Sequence, residues 1–223
     1  MSVAEVVARR RSVRAYTDEP VGEETVRRLL ARASRAPSGG NLQPWRVTVL
    51  AGEARGAAAR AGLAAIMANP GGEDEEAPVY PRGLADPYRS RRAKVGEDMY
   101  ALLGIPREDK MARQAWLARN FDFFGAPVGL FFSIGREMGR GQWAHLGMFL
   151  QTFVLLAEEE GLATCLQEAW GMVRKSMHGY LALPEGDILY CGMALGHADE
   201  DAAVNRLSTE REPVDGFAAF SGF

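Results

Sequence analysis

Apolar positions recur along this chain with two periods, and the two periods come in alternating blocks. Val3, Val6 and Val7 form one stripe behind Ser2 and Glu5, an S-x-x-E capping box, and predict a short helix over residues 2–10. Val26, Leu29, Leu30 and Ala33 repeat at helical spacing and predict a second helix over Glu23–Ala36, stopped by Pro37-Ser38-Gly39-Gly40-Asn41. The β-branched run Arg46–Leu50 and the continuous apolar run Val128–Ile134 suit strands, the second buried on both faces. "LATCLQ" and "ILYCGMAL" add two more. Between them the pattern predicts an Ala-rich helix after Gly52 and a helix opened by Asp86 and Pro87 with Val95, Met99, Leu102 and Leu103 on one face. A third carries Met111, Ala115 and Ala118. Residues 143–157 are apolar on almost every side, as in a helix sheathed by protein, either in the core or, the favoured reading, at a subunit interface. Helices slightly outnumber strands.

Composition narrows this frame. With 223 residues, 47% of them hydrophobic, the chain suits one domain, 1–223, with its own core. Ala68–Pro87 is dense in Gly, Pro and acid, and a loop of that length reads as a lid, a binding loop or disorder. A net charge of -3 argues against a nucleic-acid partner. No apolar leader precedes the first arginines and no apolar run is long enough to span a bilayer, so no membrane partner is expected. Cys165 and Cys191 sit in apolar runs without metal-like neighbours and point to a reduced, cytoplasmic setting. His145, His178 and His197 are scattered without ligand spacing, and no metal is expected.

Two short stretches carry candidate chemistry. "RRRSVRAY", Arg9–Tyr16, concentrates cations in an acidic chain. Arg9 suits a helix C-terminus. Arg10, Ser12 and Arg14 alternate with period two, so an extended segment would align two guanidiniums and a hydroxyl on one side with Val13 inward. That set matches a phosphate; a solvated surface cluster is the competing reading. "APSGGNLQPW", Ala36–Trp45, is either a simple helix-to-strand turn or a thin loop that lets backbone approach a flat ring, with Ser38 and Asn41 as polar contacts and Trp45 packing its exit.

Taken together, Arg10-x-Ser12-x-Arg14 followed by Pro37-Ser38-x-x-Asn41-x-Gln43-Pro44-Trp45 resembles the N-terminal pattern of the nitroreductase family of flavoproteins. "RNFDFFGAPVGLFF", "GLATCLQEAW", "GMALGHAD" and "NRLSTEREPVDGF" resemble its later blocks in order, so the resemblance covers nearly the whole chain. It implies a three-layer α+β fold with a mixed, mostly antiparallel sheet flanked by helices, and an intertwined homodimer binding FMN at each subunit interface. By position, Arg10 and Ser12 would hold the FMN phosphate with Arg211, Arg14 would lie near flavin N1 and O2, and Arg11 would contribute mainly through its backbone. Pro37, Ser38, Gly39 and Asn41 would reach the flavin of the other subunit. Gln167, Glu168 and Ala169 would run along its N5 and O4 edge.

The resemblance further implies ping-pong hydride transfer from NAD(P)H to nitroaromatics, quinones or similar flat acceptors, with residues 68–105 as the variable segment over the flavin. No side chain is then needed as acid or base, because the flavin carries the chemistry. One departure stands out: many members carry Lys where this chain has Thr209. The rival readings are a flavin-storing protein with little turnover, and a same-fold reductive dehalogenase or enone reductase.

Overall fold

The computed structural model describes residues 1–73 and 76–223. The continuous apolar run becomes its centre: β2 (Val128–Gly135) is buried at every position. It lies between β1 (Arg46–Ala51) and β4 (Asp187–Gly196), and β3 (Ala163–Gln167) follows beyond β4, giving the order β1-β2-β4-β3. All three pairings are antiparallel. The parallel element is a single bridge from Ser12 to Thr164 on β3.

Alternation along β2 divides the core in two. Leu130, Phe132 and Ile134 face α2 (Glu23–Ala33) and α6 (Arg140–Glu159), packing with Leu29, Phe149 and Phe153. Phe131 faces the opposite way, toward α3 (Gly52–Ala68) and α7 (Arg174–Tyr180), among Phe121, Phe123, Trp170 and Met177. Helices therefore cover both faces of the sheet in three layers. Gly129 admits the Phe123 ring, since a Cβ there would stand 2.5 Å from its Cζ.

The capping box forms as expected and starts α1 (Val3–Arg9): the Ser2 N–H donates to Glu5 (2.6 Å) and the Glu5 N–H to Ser2 Oγ (3.3 Å). Helix α2 ends at Ala33 rather than Ala36, because the Arg35 and Ala36 amides close tight turns onto Arg32 and Ala33. Asp86 opens α4 (Tyr88–Leu102), its carboxylate accepting from the Ser90 N–H (3.1 Å) and hydroxyl (2.5 Å). The expected apolar face of α4 is only partly covered: Tyr100 is buried, but Leu102 remains 37% exposed.

The face assigned to α5 (Lys110–Ala118) is corrected. Met111 is 81% exposed. The inward positions are taken by Trp116, 5.9 Å from the Phe124 ring, and Arg113, which lies 4.1 Å over Tyr100 and pairs with Glu97. Large flat side chains cover more apolar surface than Met and Ala, and they set the helix's rotation.

Helix α6 is sheathed on one side only within a single chain. Leu146, Phe149, Leu150, Phe153, Val154 and Ala157 are buried, while Ala144, Gly147, Met148 and Gln151 form an exposed line at i, i+3, i+4, i+7. Residues 69–87 contain no helix or strand among the described residues, and Asp74 and Glu75 of the predicted acidic loop lie outside them. The segment is tied down by the Glu73 amide on Met172 O (2.8 Å) and by Glu76 with Arg136 (2.8 Å). Among the described residues, no helix is long and apolar enough to cross a membrane.

Candidate functional site

At Arg10 the chain leaves α1 and turns extended (φ -51°, ψ 125°), because α1 has no further partner to pack on while β3 offers an open edge. Ser12 bridges Thr164, the Val13 N–H donates to Thr164 O (3.0 Å), and Val13 is buried as the alternation predicts. Arg10, Arg11, Ser12 and Arg14 are all half-buried. The backbone is then locked by Asn205, a residue 2% exposed. Its Oδ1 accepts from the Arg14 N–H (2.8 Å), and its amide donates to Ala15 O (2.8 Å) and Asp199 O (2.9 Å). Sequence reasoning missed Asn205, which in isolation reads as an ordinary turn residue at the head of a charged block.

The arginines of this edge have different duties. Arg9 pairs with Glu158 (3.3 Å) and Arg11 with Glu200 (2.5 Å), so both charges are matched within the chain. Arg14 donates to Ser12 O (3.3 Å). Among the described residues, no hydrogen bond or ion pair engages the Arg10 guanidinium. Burial pushes the Cys165 thiol up, and the positive charges of Arg14 and Arg10 oppose that rise, so both cations are within electrostatic reach of β3.

Further along the same strand are the other expected contacts. Gln167 is 2% exposed; its amide donates to Asn120 O (2.8 Å), and its buried Oε1 has no partner. Glu168 accepts from the Tyr190 hydroxyl (2.8 Å). Burial and that carboxylate push the Tyr190 phenol well above its ordinary range, so it remains a donor. Tyr190 in turn stands edge-on to Trp143 (5.4 Å). Ala169 is half-buried in the turn Glu168–Val173. From Thr164 to Glu168 the strand advances about 13 Å, so cationic and acidic ends share one edge.

The loop after α2 is held elsewhere. Gly40, Asn41 and Gln43 have φ of 61°, 56° and 48°, a left-handed run that makes the turn tight. The Gln43 N–H donates to Ser38 Oγ (3.0 Å), and the Gly39 N–H approaches His145 Nδ1 on α6 (3.3 Å). Trp45 stacks on Phe149 (4.7 Å), the exit packing expected of it. Pro37, Gly39 and Asn41 are exposed, and Ser38 is half-buried.

One chain does not bring the two halves together. The arginine end is fastened to α6 at Glu158, the loop at His145. Thirteen residues of helix separate them, about 20 Å along the axis. Arg211 is likewise apart: exposed, it folds back on its own turn and donates to Thr209 Oγ1 (2.6 Å), Thr209 O and Glu210 O. Thr209 thus holds the arginine. Among the described residues no three His, Cys, Asp or Glu side chains converge as a metal site.

These features agree with what the chain is similar to. A sequence profile described as "Nitroreductase family" matches residues 7–197. The 4-nitrobenzoate reductase of Pseudomonas putida is 40% identical over 218 residues, covering 98% of this chain and 95% of the relative. The nitrobenzene nitroreductase of Ectopseudomonas oleovorans is 36% identical, covering 98% and 96%. Among solved structures, the FMN and NADPH-dependent nitroreductase NfnB from sphigopyxis sp. strain HMH superposes with a TM-score of 0.96 at 49% identity, each chain covered in full. The FMN-dependent nitroreductase NfnB from Mycobacterium smegmatis, in complex with NADPH, gives 0.90 at 30% identity, covering 99% of this chain and 100% of that one.

Proposed function

The chain belongs to the nitroreductase family, and from that premise we propose how its site works as an FMN-dependent oxidoreductase that uses NAD(P)H to reduce nitroaromatic and similar electron-poor acceptors. The observation that carries the reading is the Arg10–Ser12–Arg14 edge. It is locked to β3 by main-chain pairing, has one guanidinium unmatched among the described residues, and pairs with the strand that ends in Gln167.

The donor set fits FMN. Arg10 and the Ser12 hydroxyl, with Arg211, would hold the phosphate, and Arg14 would face the ring edge that becomes negative on reduction. Arg11, already paired with Glu200, contributes its backbone. The orphaned acceptor Gln167 Oε1 suits an N–H of a bound group, because a buried unpaired acceptor is costly otherwise. When bound, FMN supplies the electron chemistry, accepting and releasing hydride at N5. Tyr190 holds the Glu168 carboxylate, which keeps that side chain fixed beside the Gln167–Ala169 backbone.

The site is completed by a second copy. Pro37, Ser38, Gly39 and Asn41 reach the flavin bound to the arginine edge of the partner, which reconciles a shared ligand with some 20 Å of helix between the two halves. The exposed line Ala144, Gly147, Met148 and Gln151 on α6 supports a homodimer, because apolar and small side chains there have no cover in one chain. Phe217, Phe220 and Phe223, 71%, 66% and 106% exposed, support an intertwined one, in which the C-terminal segment crosses to the partner. Within the single domain 1–223, residues 68–105 form the variable cover over the acceptor. Two free buried cysteines suit a cytoplasmic setting.

The test is a spectrum. Purified protein should be yellow, bleach anaerobically with NADH or NADPH, and regain colour on adding 4-nitrobenzoate. Colourless protein that ignores added FMN would overturn the reading; bound flavin that neither nicotinamide reduces would mark a storage protein.

A further inference from the structure

His145 was expected to have no special part, yet its ring meets the flavin loop in a way that cannot serve both of its neighbours. Nδ1 lies 3.3 Å from the Gly39 amide nitrogen, which is always a donor. The same atom lies 3.1 Å from Gln142 Oε1, which is always an acceptor. One ring nitrogen cannot accept from the first and donate to the second at once. Neutral His145 with its proton on Nε2 offers Nδ1 as acceptor to Gly39; a proton on Nδ1, which the doubly protonated ring always carries, donates to Gln142 and leaves the Gly39 amide without a partner. The contact is close: a Cβ at Gly39 would stand 3.0 Å from His145 Cε1, so the ring lies directly against the glycine backbone.

We infer that His145 is a positioning residue for the flavin loop, and that its neutral form is the one that holds Gly39 in place to meet the partner's FMN. The inference rests on the loop meeting a flavin, as proposed above. Protonation by solvent, which reaches this half-buried ring, exchanges the Gly39 bond for the Gln142 bond. The loop then keeps its internal bonds, the Gln43 N–H to Ser38 Oγ, the Asn41 and Leu42 amides to Ser38 O and Gly39 O, and the Gln43 side chain to Asn41 O. The loop from Pro37 to Gln43 has no titratable side chain. On α6 the other ionisable residues are Arg140 at one end and Glu158 and Glu159 at the other. Arg9 from α1 and Arg32 from α2 pair with those glutamates, Arg28 from α2 pairs with Glu160 just beyond them, and β3 carries only buried Cys165.

The test compares FMN affinity of the intact protein at pH 8 and pH 5.5 for wild type and for His145→Asn, whose Oδ1 sits near the Nδ1 position and accepts at either pH. Wild type should lose about five- to tenfold more affinity than His145→Asn on acidification, the worth of one ordinary hydrogen bond. The FMN phosphate itself titrates near pH 6, and that part of the loss is common to both proteins. His145→Ala should bind at pH 8 about as weakly as the acidified wild type, relative to the same reference. In the wild type alone, the Gly39 amide proton resonance should shift with a midpoint near that of the His145 ring. Equal losses in wild type and His145→Asn, or a Gly39 resonance that does not follow the ring, would overturn the inference. Failure of either protein to bind FMN at pH 8 would instead sink the shared-flavin reading on which it stands.

Discussion

The arginine edge and the glycine loop are two halves of one proposed site, and they are fastened in opposite ways. The edge is fixed by main chain: Ser12 and Val13 pair with β3, and Asn205 ties off the Arg14 amide from a buried position. The loop is fixed by side chains, His145 from α6 and its own Ser38 hydroxyl, and by left-handed backbone at three positions. Disturbing the first should therefore cost stability as well as flavin. Disturbing the second should cost flavin while the fold stands.

Asn205→Ala should have the largest effect. It removes three buried hydrogen bonds and strands their partners, which amounts to about 2–4 kcal/mol of stability. Thermal melting of the apoprotein should show the drop, and flavin content should fall with it; a normal melt would mean that the edge is not held this way. Arg10→Ala sharpens the comparison from inside the edge. With no partner among the described residues to lose, it should leave melting unchanged while FMN affinity falls about ten- to a hundredfold, the worth of charge-assisted bonds to a phosphate.

Gly40→Ala should act next, placing a side chain at φ 61° at a cost of about 1 kcal/mol. FMN titration should weaken severalfold with little change in melting, the reverse of Asn205→Ala. Arg14→Ala should lower the two-electron potential of the bound flavin, since a positive charge near the ring favours its anionic reduced form; spectroelectrochemistry that finds an unchanged potential removes that role.

The smallest effect concerns the scaffold at the C-terminal end of α6. Glu160 lies below its ordinary carboxyl range, chiefly through its hydrogen bond from Arg28 and then through Arg32, which join α2 to the end of α6. Because the folded value is the lower one, this stabilisation is complete above the unfolded carboxyl value of 4.5 and is lost as pH falls through the folded one. Arg28→Ala should therefore flatten the acid-side decline in melting temperature below pH 4.5, with no effect on flavin at neutral pH.

Most of the frame was legible because it depends on periodicity. The buried run Val128–Ile134 became the central strand, and the S-x-x-E box capped α1 as read. The orientation of α5 was not legible, since Met111 and Trp116 both fit helical spacing and only packing against Phe124 decides between them. In the site, the alternation of Arg10, Ser12 and Arg14 about buried Val13 could be read directly. Asn205 and His145 could not, because each acts on backbone atoms distant in sequence that no local pattern marks. The α6 pattern was ambiguous for the same reason: an all-round apolar helix describes both a core and an interface, and the exposed line through Met148 appears only once the chain is folded.

The central claim, that each flavin lies between the arginine edge of one chain and the loop of another, is tested most directly by mixing two defective chains. One carries Arg10→Ala, the other Ser38→Ala with Asn41→Ala, and each alone should bind FMN poorly. Their mixed dimer contains one site with both defects and one with neither, so it should recover close to one tightly bound FMN per dimer. If the mixed dimer forms and recovers none, the edge and the loop serve the same site from the same chain, and the account is wrong.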